Sequence, residues 1–283
     1  MTVLVTGADG LLGRYLRRAA EGQRDTYLFA NRAMLDITNR EAVIAYFEEH
    51  AVDVVVNCAA YTDVDRAERA EAEAYAVNAT AVSYLAEAAK RTNALVIHIS
   101  TDFVFMGGCC AQLTEQAQPR PINAYGRTKL AGEEMLQASG CHHMIIRTAW
   151  LYGAYGRNFV KSIYDRIKEG ICLRVVDDQI GSPTYAADLA KAVVQIIAQQ
   201  QFAEGVYHYT NMGSCSRWEL AKAIGKELQA SISIQPCRSE EYPTAALRPK
   251  NCVLDKRKFQ QTFNIEIPHW KESLKKCFYE FQA

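Results

Sequence analysis

Thr2-Val3-Leu4-Val5-Thr6-Gly7-Ala8-Asp9-Gly10-Leu11-Leu12-Gly13 decides the fold. A short apolar run turns through three glycines into the helical stretch Arg14-Tyr15-Leu16-Arg17-Arg18-Ala19-Ala20. Gly7 permits a tight exit from the strand, Gly10 lets backbone approach a pyrophosphate, and Gly13 lets the helix pack on the sheet. The free N–H groups of that helix, with its partial positive charge, then face the phosphates. The spacing is G-x-x-G-x-x-G, a variant of the commoner G-x-G-x-x-G, and it still follows a strand and opens a helix.

Further along, strands and helices alternate. Thr26–Ala30 reads as the second strand, Asn39–His50 as a helix, Asp53–Cys58 as a buried third strand and Glu68–Arg91 as one long Ala-rich helix. Leu95–Ile99 is a fourth strand, Asn123–Ala138 a helix and His143–Arg147 a fifth strand. This alternation predicts an α/β fold, a Rossmann-like doubly wound parallel sheet covered on both faces, with ligands beyond the C-terminal strand ends. After Trp150 the pattern loosens. Asn158–Glu169, Tyr185–Gln201 and Ser216–Gln229 read as helices and Val206–Tyr209 as a returning strand. The stretch 231–255 holds Pro236, Pro243 and Pro249 and reads as extended and loop-rich. Residues 1–150 are therefore expected to form a dinucleotide-binding domain, with segments near 184–211 returning to it. Residues 151–283 are expected to form mainly a smaller substrate-binding lobe.

Composition narrows the function classes. Lys+Arg and Asp+Glu both number 32, so electrostatics gives no reason to expect a nucleic-acid or membrane-surface partner. Apolar runs are strand-sized, and no basic segment precedes a long apolar core, so neither a membrane span nor a signal peptide is expected. Nine cysteines with no C-x-x-C pair and one adjacent pair, Cys109-Cys110, suit reduced thiols in a cytoplasmic protein. Six histidines without H-E-x-x-H suggest no metal site.

Chemistry is expected at the strand ends. The fourth strand runs into Ser100-Thr101-Asp102, and Tyr125 and Lys129 stand four apart on one helix face. A phenol is a weak acid at neutral pH, and a neighbouring ammonium would lower its pKa and make it a better proton donor to a carbonyl oxygen. A second Tyr-x-x-x-Lys, at Tyr164 and Lys168, follows no such strand and reads as a solvated helix face. The second strand ends in Ala30-Asn31-Arg32 without a carboxylate. An Arg there suits the 2′-phosphate of NADPH, so NADPH is expected at least as well as NADH.

The glycine turn, Ser100-Thr101-Asp102 and Tyr125-x-x-x-Lys129 together resemble the extended short-chain dehydrogenase/reductases, which act largely on nucleotide sugars. Ser100–Phe105, Tyr125–Glu133, Arg147–Gly153 and Asp178–Thr184 narrow that resemblance to reductases of dTDP-linked 4-keto-6-deoxy sugars. It implies NAD(P)H on Gly10-Leu11-Leu12, the adenine near Asp36-Ile37, and the backbone of Ala60-Tyr61-Thr62 under the cofactor. It makes Tyr125 the proton donor, and Lys129 the residue that lowers its pKa and bonds the nicotinamide ribose. Thr101 would bond the 4-oxo group, Asp102 and Trp150 would contact the sugar nucleotide, and Asn78 would help hold the lysine. The implied reaction is hydride delivery to C4 of a dTDP-4-keto-6-deoxy-L-hexose, giving dTDP-L-rhamnose.

Related readings meet these residues differently. Dehydratases of the superfamily resemble Thr-Asp-Glu at the strand end, where Phe103 stands here. Epimerases share the Tyr and Lys pair, and the strings around Trp150 and Gln179 argue against them. A reductase or epimerase of another nucleotide 4-keto sugar stays open. So does a non-catalytic regulatory subunit similar to the β subunit of methionine adenosyltransferase, although Thr101, Tyr125 and Lys129 favour an enzyme. A weak homodimer is left open. A metal bridge is not expected, because the position two past the third glycine is Tyr15 rather than an acid.

Overall fold

The computed structural model describes residues 1–108 and 112–282; Cys109 and Cys110 lie outside the described residues. Five strands follow the expected order: β1 (Thr2–Thr6), β2 (Thr26–Ala30), β3 (Val54–Asn57), β4 (Leu95–Thr101) and β5 (His143–Thr148). With Gly205–His208 they form one six-stranded sheet in the order Gly205–His208, β5, β4, β3, β1, β2, every pairing parallel. The order reverses direction at β1, which has β2 on one side and β3 on the other, so a crevice opens beyond the C-terminal ends of β1 and β3.

Strand periodicity sorts the core into two layers. Val3, Val5, Val54, Val56, Ile97 and Ile146 face one way, against helices that include α1 (Leu11–Ala19) and Ala186–Ala198. Leu4, Val55, Val96 and Ile145 face the other way, against Arg40–Glu49 and Ala81–Thr92. Both faces are covered, which is why β3 reads Val-Val-Val-Asn with all four residues buried and without polar alternation.

The helix expected over Glu68–Arg91 runs from Glu71 to Thr92 with a π-helical turn at Ala76–Thr80 inside it, and a separate short helix, Val64–Ala67, precedes it. Asn78 accounts for the π turn. Its side-chain oxygen accepts the Tyr61 N–H at 2.8 Å, and its nitrogen donates to the Tyr61 carbonyl and the Thr128 hydroxyl, each at 3.1 Å. An extra residue in the turn is the backbone's way of bringing one side chain to three fixed partners.

The stretch 231–255 is more ordered than its prolines suggest. Ile234–Cys237 pairs in parallel with Leu173–Val176, with Pro236 inside a strand that has one neighbour only. Asn251–Cys252 joins Ile180–Gly181 and Cys215–Ser216 in a small three-stranded sheet. Tyr164 is not the solvated residue expected: its ring packs on Phe278 and Phe281 of the last helix, with centroids 5.5 and 4.6 Å away. Among the described residues no helix is long and apolar enough to cross a membrane.

Candidate active site

The glycine turn is built for close approach. Gly7 sits at φ +63°, and a Cβ there would come within 2.7 Å of the Ala59 nitrogen; at Gly13 it would lie 2.6 Å from the Ala8 Cα. Gly10 begins α1 in extended geometry with no capping side chain, and the first turn holds no acid. The N–H groups of that turn therefore stay available to an anion. These features fit the pyrophosphate of a dinucleotide, because backbone donors line the cradle where a side chain would fill it.

A cleft of about 570 Å³ opens over this turn. Of the residues singled out from the sequence, Gly7, Gly10, Leu11, Leu12, Gly13, Ala60, Thr62, Thr101, Asp102, Tyr125, Lys129 and Trp150 line it. Arg32, Asp36, Ile37 and Tyr61 do not. The Arg32 side chain is 84% exposed beyond β2, with Nε 3.4 Å from the Asp36 carboxylate. That carboxylate accepts the Thr38 hydroxyl at 2.7 Å and the Thr38 N–H at 3.0 Å, bonds that hold it below its ordinary range. Ile37 is buried in the core layer behind β2. Tyr61 packs with Ala67, Ala74 and Ala124, leaving its backbone to the Asn78 clamp.

The helix Ala124–Ser139 brings Tyr125 and Lys129 to the cleft, and its start is fixed three ways. Asn123 caps it by accepting the Gly126 N–H at 2.8 Å, the Asn123 amide donates to the Leu247 carbonyl at 2.8 Å, and the Ala124 N–H donates to Glu68 at 2.7 Å. Gly126 and Gly132 let this helix lie against the backbone of Phe103 and Asn78.

At the end of β4 the Thr101 hydroxyl caps a short turn over Asp102–Val104, accepting the Phe103 N–H at 3.2 Å. Tyr125 meets Phe103 edge-on at 5.6 Å. Burial pushes the Tyr125 phenol up to about 12, against the Thr101 hydroxyl, whose hydrogen bond pulls the other way. This departs from the expectation that Lys129 lowers it. Lys129 Nζ donates to the Ile99 carbonyl at 2.7 Å and lies 3.2 Å from His98 Nε2. Burial brings Lys129 itself down to about 8. The Asn78 side chain bonds Tyr61 and, on the helix that carries Lys129, Thr128.

Trp150 follows β5 in a left-handed conformation, φ +49°, uncommon for a bulky residue and typical of side chains aimed at a site. Its indole lies on Gly181, where a Cβ would come within 2.7 Å of the ring. The Arg217 guanidinium lies over the ring, 3.6 Å from its centroid. Sequence reasoning missed Arg217. The only signal was the capping box of Ser216 and Glu219, which starts the helix Arg217–Glu227 and sets Arg217 at its first position. Arg217 makes no ion pair within 4 Å among the described residues; the opposite charge that acts on it most is Asp102, which burial lifts to about 7. Arg248, also missed, enters the cleft wall paired with Asp65 at 2.6 Å. Chemically the cleft offers an anion cradle at one end, a phenol and a hydroxyl at its centre, and a stacked guanidinium at the other.

The RmlD substrate binding domain model matches residues 1–283. The dTDP-4-dehydrorhamnose reductase of Aggregatibacter actinomycetemcomitans is 38% identical, covering 96% of this chain and 97% of its own. A crystal structure of a dTDP-4-dehydrorhamnose reductase from Clostridium acetobutylicum superimposes with a TM-score of 0.96 at 39% identity, covering all of both chains. A second, from Bacillus anthracis in complex with NADP, gives 0.94 at 37% identity over 99% of both. The chain belongs to the RmlD substrate binding domain family.

Proposed function

We propose that the protein reduces the 4-keto group of dTDP-4-dehydro-L-rhamnose to dTDP-L-rhamnose with NADPH. The observation that carries this reading is the convergence of Thr101, Tyr125 and Lys129 in one cleft beside an uncapped glycine turn, on a chain whose family relatives bear that activity in their names. The 1–150 part would hold the cofactor. The 151–283 part would close on the sugar nucleotide, with Arg217 and Gly181 holding Trp150 over it. Arg32, exposed beyond β2, is free to swing from Asp36 to a 2′-phosphate, since an exposed ion pair contributes little.

Reduction at C4 puts a hydride on carbon and a proton on oxygen. NADPH, when bound, supplies the hydride. Tyr125 keeps its proton throughout the neutral range, because burial holds it at about 12, so the acid stands loaded when charge develops on the oxygen. The Thr101 hydroxyl beside it adds a second hydrogen bond to the same oxygen. Asp102, beneath the cleft, and Trp150, at its rim, shape the space for the sugar.

The seven described cysteines are free thiols, which supports a cytoplasmic location. Tyr15 is buried and bonded to Glu280, which supports the reading that position 15 takes no part in a metal bridge between copies. The test is NADPH oxidation with dTDP-4-keto-6-deoxyglucose and its 3,5-epimerase. Oxidation that depends on the epimerase is expected, with NADPH used at least as well as NADH. No oxidation with or without the epimerase would overturn the reading. Oxidation without it would assign a different 4-keto sugar.

A further inference from the structure

Behind the cleft a row of polar side chains crosses the sheet where its apolar layer would otherwise continue. Thr6, Asn57 and His98 are register partners on β1, β3 and β4. They share the face of Leu4, Val55 and Val96, and each is at most 1% exposed. Thr6 Oγ1 lies 2.6 Å from Asn57 Oδ1, Asn57 Nδ2 lies 3.0 Å from His98 Nδ1, and His98 Nε2 lies 3.2 Å from Lys129 Nζ. Burying such groups costs about 1 to 3 kcal/mol each unless every one is paired. Here each is paired, and the row ends at the lysine.

The chain is complete in either of two polarities. With Lys129 as ammonium, Nζ donates to His98 Nε2, His98 Nδ1–H donates to the Asn57 oxygen, and the Asn57 amide donates to Thr6. With Lys129 as amine, the Thr6 hydroxyl donates to the Asn57 oxygen, the Asn57 amide to His98 Nδ1, and His98 Nε2–H to the lysine lone pair. The two differ by one proton, an amide flip and an imidazole tautomer, and no side chain leaves its place. Burial and the lysine charge keep the imidazole neutral, well below its ordinary range.

We propose that His98, fixed by Asn57 and Thr6, is a positioning residue for Lys129: it holds Nζ under the cleft and, by reversing the chain behind it, supports the lysine both as ammonium and as amine. Of the other groups that bear on Nζ, the Ile99 carbonyl can only accept, and Glu133 on the same helix and Cys58 after β3 both favour the ammonium against burial. None of them can reverse its polarity as a neutral imidazole can. The proposal rests on the reading of Lys129 as the working lysine, and its test is made on the protein without cofactor or sugar, so the two stand or fall separately.

Protein labelled with 13C at lysine Cε, with the Lys129 signal identified by its loss in Lys129→Arg, gives the titration of that amine directly. His98→Leu removes both bonds while leaving the site dry, and because the charge-assisted bond to the ammonium is the stronger of the two, the midpoint should fall by about one pH unit, a tenfold loss of proton affinity. His98→Gln, whose amide can also accept or donate, should return it to within a few tenths of the wild type. An unchanged midpoint in His98→Leu, or the same fall in His98→Gln, would overturn the proposal. Should His98→Leu not fold, the wild type alone decides: the 15N shifts of the His98 imidazole should switch tautomer at the Lys129 midpoint, and one tautomer held across that titration would overturn it. Failure to reduce any dTDP-linked 4-keto sugar would bear on the proposed function and leave these measurements as they are.

Discussion

Tyr125 shows how a residue can be legible in position and not in its energetics. Its spacing from Lys129 placed both on one helix face, and the cleft receives both. What the spacing could not convey is that the lysine is drawn back onto His98 and Ile99, so burial rather than the neighbouring charge sets the phenol. Tyr125→Phe removes the proton and keeps the ring; turnover should fall by about 10² or more while NADPH binding persists. Tyr164→Phe is the control and should leave turnover unchanged, since that ring serves the last helix. Asp102 offers a second test through pH. Its carboxyl is lifted to about 7 in the folded protein from an ordinary value of 3.8, so the folded state binds this proton more tightly than the unfolded chain. That contribution is full below pH 4 and is lost as pH rises through 7. Urea denaturation should show the wild type losing stability between these values relative to Asp102→Asn, by at most about 4 kcal/mol. Parallel pH profiles for the two proteins would refute this.

At the scale of elements, the parts that obey one period were readable and the parts that obey a tertiary partner were not. The strands of the sheet and the helix Ala124–Ser139 follow from apolar runs, caps and glycines. The Ala-rich stretch after Glu68 reads as one regular helix and carries a π turn in its middle, where Asn78 reaches Tyr61 and Thr128 at once. Arg217 was invisible for a similar reason: a helix start can be seen in Ser216 and Glu219, but what that start faces depends on the turn of Trp150. The crossing of Ala124–Ser139 over the π turn gives a prediction whose sign separates two effects. Gly132 to Ala in an open helix would stabilise by about 1 kcal/mol. Here a Cβ would run into the Asn78 carbonyl, with its carbon 3.2 Å away. Gly132→Ala should therefore destabilise by about 1 to 3 kcal/mol and lower turnover, because the helix that yields is the one carrying Tyr125 and Lys129. A stabilised variant with normal turnover would show that the two elements are free to separate.

Across the whole molecule, the last helix, Trp270–Gln282, is tied to the first. Tyr15 on α1 is 2% exposed, its hydroxyl donates to Glu280, and the same oxygen accepts the Ala154 N–H at 2.9 Å. Arg18, one turn on, pairs with Glu280 at 2.7 Å. The ring packs between Tyr155 and Tyr185, with centroids 5.0 and 5.6 Å away. One phenol thus joins the turn after β5, the helix that opens at the glycines and the end of the chain. None of these partners lies within a hundred residues of Tyr15, so no local pattern could announce the junction. Tyr15→Phe keeps the aromatic packing and leaves the Ala154 N–H and the Glu280 carboxylate each short of a partner. The cost should be about 1 to 3 kcal/mol, or a fall in Tm of roughly 2 to 5 °C for a chain of this size. Because the hydroxyl bonds Glu280 and Ala154, neither of which lines the cleft, kcat at a temperature where the variant is folded should match the wild type. A wild-type Tm would show that Arg18 alone holds Glu280, and a fall in kcat without a fall in Tm would move Tyr15 from the scaffold into the site.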